Sequence, residues 1–174
     1  MMQCARILAV TGASGVGKTT LVRQVESRGV PGVSFHYFDS IGVPPLSEMT
    51  RHHGSAAGWQ DAMTDRWIER LASHGNGLFV LDGQVRPTTL RNAFARYHVD
   101  GHILLVDCLS PVREARLRDL RQQPELATPE MANWQSYLRG QADALGLPVL
   151  DTSELTIEQA ADALHGQISA LAAV

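Results

Sequence analysis

Cysteine is scarce in this sequence: its 174 residues include two, Cys4 and Cys108. Their spacing fits neither a disulfide framework nor a metal cluster, so both are expected to be reduced, buried thiols of a cytosolic protein. There is no polybasic tract, and the formal net charge is −3. That balance gives no general pull toward nucleic acid or an anionic membrane, so any positive function must be local. No apolar run approaches the ~20 residues of a membrane-spanning helix. The chain enters a strand-like run almost at once, without a signal-peptide pattern, so a soluble, cytoplasmic protein is expected. Internal repeats, linkers and low-complexity tracts are also missing. One domain, 1–174, with one sizeable core is the expectation.

What the sequence does contain is five short apolar runs, "RILAV", "VSFHYF", "LFVLD", "HILLVD" and "LPVLD". Runs of this kind fill a buried parallel sheet. Periodic apolar residues with caps or breakers at their ends predict helices over about Lys18–Arg28, Gly58–Ser73, Thr88–Arg96, Pro111–Gln122, Pro129–Leu145 and Ile157–Ala172. Alternating strand and helix implies a parallel α/β sandwich, because a parallel connection needs a crossover. Ligands then bind at the C-terminal ends of the strands.

The stretch "TGASGVGKTT" follows the first run, and Gly12, Gly17, Lys18 and Thr19 satisfy the pattern G-x-x-x-x-G-K-[ST]. Glycines allow a tight concave loop whose N–H groups converge, and the next helix adds the positive end of its dipole. Gly12, Ala13, Ser14, Gly15, Val16, Gly17, Lys18, Thr19 and Thr20 are therefore the candidate triphosphate cradle. Lys18 is expected to reach the β- and γ-phosphates, and the Thr19 hydroxyl to ligate Mg²⁺.

Asp82 ends the third run, at the sheet edge that carries the glycine loop, and is expected to hold the same metal, with capping of the next turn as its alternative. Arg86 follows Gly83 and reads either as a bidentate grip on an acceptor's phosphate or carboxylate or as a solvated arginine. Asp39 ends the second run. It is the candidate to orient an acceptor hydroxyl or take its proton, or else it caps a turn. Farther on, His52 and His53 read as solvated rather than catalytic, and Trp59, Met63, Trp67 and Leu71 form an i, i+4 stripe that is core or, less simply, a base-stacking wall. After the fourth run, Arg113, Arg116, Arg118 and Arg121 crowd one helix. They read as a lid that neutralises transferring charge, or as an outer face paired with Glu114 and Asp119.

Taken together, these motifs resemble the small-molecule and nucleoside-monophosphate kinase branch of P-loop proteins, which includes adenylate, shikimate and gluconate kinases. "GASGVGKT" is similar to their phosphate loop, and "LDGQVRP" to the strand-end Asp-Gly and acceptor-contacting Arg of adenylate kinases, with Gln84 and Val85 in place of an aromatic-proline pair. The helix after the fourth strand resembles their lid, although the Arg116 to Arg121 spacing departs from RxxxR or RxxR. "LPVLDTSELTIEQAADAL" resembles their last strand, turn and helix, where the turn lies near adenine, which makes Asp151, Thr152 and Ser153 candidates for that edge. "HYFDSIGVP", "LDGQVRP" and "QPELATPEMANWQSYLR" also resemble a bacterial group of uncharacterised ATP-binding, kinase-like proteins.

The resemblance spans nearly the whole chain and implies a three-layer sandwich with sheet order 2-3-1-4-5 and an Arg-rich lid. ATP is the implied nucleotide, since no N-K-x-D guanine-reading motif occurs. The expected activity is Mg²⁺-dependent transfer of the ATP γ-phosphoryl group to a small-molecule acceptor. Lys18, Asp39, Arg116 and Arg121 are the expected catalytic residues, with Arg118 as substitute. The acceptor region is about 39–73, the lid about 113–135, and the protein is expected to be a monomer or homodimer. A nucleotide-responsive ATP-binding protein and a partner-stimulated ATPase are the alternatives.

Overall fold

A computed structural model describes residues 5–174, so the expectation for Cys4 lies outside the described residues. Apolar residues alternate along β1 (Arg6–Thr11): Ile7 and Ala9 enter one hydrophobic cluster, Leu8 and Val10 another. Both faces of this strand are buried, which makes it the centre of the sheet. It pairs in parallel with β3 (Leu78–Asp82) on one side and β4 (Asp100–Asp107) on the other. β2 (Val33–Tyr37) and β5 (Val149–Asp151) form the edges, giving the order β2-β3-β1-β4-β5 that the resemblance implied.

Helices close both faces. α1 (Lys18–Arg28), α6 (Pro129–Ala144) and α7 (Ile157–Ala172) cover the Leu8 side through Val22, Val25, Leu138, Leu164 and Ile168. On the Ile7 side, α3 (Ala56–Ser73) and α4 (Pro87–Tyr97) supply Trp67, Ile68, Leu71, Leu90 and Phe94. The Trp59, Met63, Trp67, Leu71 stripe is therefore core, and the Trp67 indole N–H donates to the Phe38 carbonyl at 3.2 Å. Among the described residues no helix is long and apolar enough to cross a membrane.

Three local departures from the sequence pattern surround the site. α2 (Leu46–His53) was not anticipated: it starts directly after Pro45, and only Met49 is buried, too little to leave a periodic signal. The run ending at Phe38 stops one residue earlier as a strand, and Phe38–Ile41 forms a 3₁₀ turn that carries Asp39. The expected Pro111–Gln122 helix divides into α5 (Ser110–Ala115) and a π turn over Arg116–Leu120, closed by the Arg121 N–H on the Arg116 carbonyl at 3.0 Å. A π turn brings residues five apart nearly into line, whereas 3.6 residues per turn would set them well apart. Arg116 and Arg121 thereby face the same way.

His36 on β2 is half-buried between Trp67 and Phe79, and its Nε2 is buried without a hydrogen-bond partner. Burial, reinforced by the positive charge of Arg70, pushes the imidazole below its ordinary value. The unfolded chain then binds the proton more readily than the fold does. Stability is expected to decline as pH falls below about 6.5, and His36→Gln should flatten that decline in urea titrations between about pH 5 and 7. An unchanged pH slope in the variant would show that another group sets it.

Candidate functional site

The loop between β1 and α1 is held open by two close approaches. Gly12, at φ 155°, lies against β4: a Cβ there would stand 2.4 Å from the Val106 carbonyl oxygen. Gly15, at φ 90°, lies over the helix after β4, where a Cβ would meet Leu117 Cγ at 2.7 Å and Arg113 Cγ at 3.0 Å. The floor of the loop is thus α5 and its π turn. Thr11 at the end of β1 donates its hydroxyl to the Val85 carbonyl at 2.6 Å, fixing the 83–86 segment beside the loop.

Lys18, Thr19 and Asp82 meet at the start of α1. The Thr19 hydroxyl donates to Asp82 Oδ2 at 2.7 Å, Lys18 Nζ donates to Thr19 Oγ1 at 3.2 Å, and Lys18 Nζ stands 3.1 Å from Asp82 Oδ1. The last contact is ionic without hydrogen-bond alignment, so Asp82 Oδ1 is a buried carboxylate oxygen with no hydrogen-bond partner. A hard oxygen left in this state beside a hydroxyl suits a hard divalent cation such as Mg²⁺, and the donor set fits that ion. Lys18 is also the only lysine in the sequence, the other basic side chains being arginine or histidine.

Lys18 and Thr19 line a cleft of about 730 Å³, with Asp82 buried behind them. Every residue of Gly12 to Thr20 lines it except Gly12 and Val16, which face inward. On the β2 and β3 side its lining includes Asp39, Gln84 and Arg23, which lies over Tyr37; on the β4 and β5 side it includes Thr152, Leu155, Ile157 and Leu120. Asp39 therefore stands in the same cleft as the phosphate loop. Arg86 does not line it: its Nε donates to Gln60 Oε1 at 3.0 Å, and Nη2 donates to the Ala57 carbonyl at 2.9 Å and to Asp61 Oδ1 at 2.7 Å. His52 and His53 are exposed on α2.

Three of the four helix arginines reach the loop. Arg116 donates to the Val16 carbonyl at 3.0 Å and forks onto Thr152 Oγ1 at 2.9 Å and the Thr152 carbonyl at 2.7 Å. Arg121 Nη1 donates to Ser14 Oγ at 3.3 Å. Arg113, fully buried, donates through Nη1 to the Ser14 carbonyl at 3.4 Å. Arg118 is exposed and outside the cleft. Arg118 therefore lies on the outer face of this segment, and no ion pair joins it to Glu114 or Asp119 among the described residues.

Sequence reasoning missed Leu155, Ile157, Gln84 and Arg23 as cleft residues. The first two flank Thr156, which with Gln159 forms a capping box at the start of α7; that pattern was visible, but only the fold turns its apolar flanks toward the loop. Thr152 does line the cleft, whereas the Asp151 carboxylate accepts from the Ser153 hydroxyl and backbone N–H, which holds it below the usual carboxylate range. Cys108 is buried, and burial pushes its thiol up.

No family model and no curated protein matches this chain. Solved structures do. The tunicamycin resistance protein of Deinococcus radiodurans aligns over 94% of this chain and 95% of its own, at TM-score 0.62 and 18% identity. Shikimate kinase from Acinetobacter baumannii, solved with shikimate, aligns over 97% and 92% at TM-score 0.59 and 17% identity. The fold is that of the P-loop small-molecule kinases. A gluconokinase from Sinorhizobium meliloti 1021 shares it over 98% of this chain and 95% of its own, at TM-score 0.59 and 14% identity. Within this kinase fold the phosphate loop, Asp82 and the arginine helix all lie at the C-terminal edge of the sheet, where the topology puts ligands.

Gly15→Ala tests the loop floor. Its Cβ has no room and its φ is strained, so the variant should lose about 2 kcal/mol of unfolding free energy by chemical denaturation. ATP binding by calorimetry should weaken in parallel. Unaltered values for both would mean that the loop and the π turn are not in contact in solution.

Proposed function

We propose that the protein is an ATP-dependent phosphotransferase that moves the γ-phosphoryl group to a small-molecule acceptor. The observation that carries this reading is the makeup of the cleft: Lys18 and Thr19 line it at the centre of the sheet edge, with Leu155 and Ile157 on the β5 side and Asp39 and Gln84 on the β2 and β3 side. An apolar slot suits a nucleobase and a polar one a hydrophilic acceptor, with the phosphate loop between them.

In this reading residues 12–20 cradle the triphosphate through backbone N–H groups and Lys18 neutralises the β/γ oxygens. Thr19 and Asp82 hold the metal. Mg²⁺ bound there supplies further positive charge to the phosphate oxygens. Asp39 orients the acceptor hydroxyl; its oxygen bonds to the γ-phosphorus, the bond from that phosphorus to the β,γ-bridging oxygen breaks, ADP leaves, and the hydroxyl proton passes to the Asp39 carboxylate. An acceptor that is already a phosphate needs no base. Arg116 and Arg121 neutralise charge on the group in flight. Arg86 joins the acceptor after exchanging its Asp61 partner.

The commitment of Arg86 to α3 favours a second reading, a nucleotide-responsive ATP-binding protein without a small acceptor. One experiment separates the two. ADP release from Mg-ATP is followed across nucleosides, nucleoside monophosphates, sugars, sugar acids and shikimate-like alcohols, with Lys18→Ala as blank. The phosphotransferase reading expects one acceptor class to raise the rate well above background, and Lys18→Ala to fold normally yet lose turnover by about 10³-fold or more. Tight ATP binding with no acceptor-dependent release, or full activity in Lys18→Ala, would overturn it.

A further inference from the structure

Among the described residues, the charge on Arg113 has no partner of opposite sign within ion-pair distance. The side chain is fully buried between the phosphate loop and α6, and its Nη2 makes no hydrogen bond. Its Nε donates to Gln135 Oε1 at 2.9 Å, and Gln135 Nε2 in turn donates to Asp107 Oδ1 at 2.8 Å and the Cys108 carbonyl at 2.6 Å. The carboxylate of this network is thus one side chain removed. It is also already matched, since Arg139 Nη1 stands 3.4 Å from Asp107 Oδ2. A guanidinium cannot shed its proton to relieve the cost, so a full positive charge stays in a water-excluded site.

Arg113 also holds one peptide of the loop. Its Nη1 donates to the Ser14 carbonyl at 3.4 Å. In a planar trans peptide the carbonyl and the following N–H point to opposite sides, so a Ser14 oxygen held toward the floor turns the Gly15 N–H away from it. Arg116 has the same relation to the Val16 carbonyl and the Gly17 N–H.

We propose that Arg113 is a positioning residue that fixes the Ser14–Gly15 peptide for phosphate and supplies, from behind the loop, a buried positive charge that only a polyanionic ligand compensates. The inference rests on the loop's binding nucleotide phosphate and adds the selectivity: nucleotides are favoured in order of phosphate number. The same residue destabilises the nucleotide-free protein, because an unmatched buried charge opposes folding.

Arg113→Met in the full chain keeps the length and removes the charge. Melting of the nucleotide-free variant is expected at or above the native temperature. Calorimetric affinity for ATP should fall about tenfold or more, for ADP less, and for AMP about twofold at most, as expected of a lost charge interaction. A lower melting temperature with equal losses for all three nucleotides marks a packing role and overturns the proposal, as does unchanged ATP affinity. Should Arg113→Met fail to fold, Arg113→Lys decides, since it keeps the charge: an ATP-to-AMP affinity ratio within about threefold of native supports the proposal, and a collapsed ratio overturns it. Native protein that binds none of the three nucleotides would overturn the phosphate-loop reading as well.

Discussion

The rigid trans peptide is the constraint on which this site depends. A loop of nine residues can present N–H groups to an anion only if its carbonyl oxygens have somewhere else to go. Here two of them go to arginines, Ser14 to Arg113 and Val16 to Arg116, with Thr152 sharing the second. The concave shape of the loop is therefore held by a helix from the far side of β4 as well as by its own glycines. That dependence explains why Gly15, outside the four residues that define the motif, has a backbone as constrained as any within it.

It also explains the π turn. A regular helix would carry Arg121 away from the face that bears Arg116. The extra residue per turn keeps Leu117 under Gly15 while both arginines stay on the cleft. Irregular helical turns recur at functional sites because a regular helix cannot aim neighbouring side chains this way.

The sheet, its layers and the phosphate loop were legible because each rests on local pattern: apolar runs, a helix period, and glycines at fixed offsets. Lys18, Thr19 and Asp82 were legible for the same reason, and they meet within hydrogen-bonding distance. α2 was not, since one buried Met49 leaves no period to read. The roles of the arginines were hidden more deeply. Four arginines within nine residues look interchangeable in the sequence, yet one is fully buried, two line the cleft and one lies outside it. What separates them is the π turn and the distance to residues 14–16, a contact across about 100 positions of chain. The contacts of Arg86, outside the cleft, are equally nonlocal. Arg86 meets Asp61 and Gln60 because α3 packs beside the loop after β3, and nothing in "LDGQVRP" announces those partners.

The use of arginine almost everywhere gives Lys18 a chemical distinction. Its ε-amine is the only one in the chain, and it lies almost wholly buried between Thr19 and Asp82. A reagent that acylates amines thus has a single side-chain amine to find in this protein, at the start of α1 beside the glycine loop. The extent of such labelling reports how open the cleft is over Lys18.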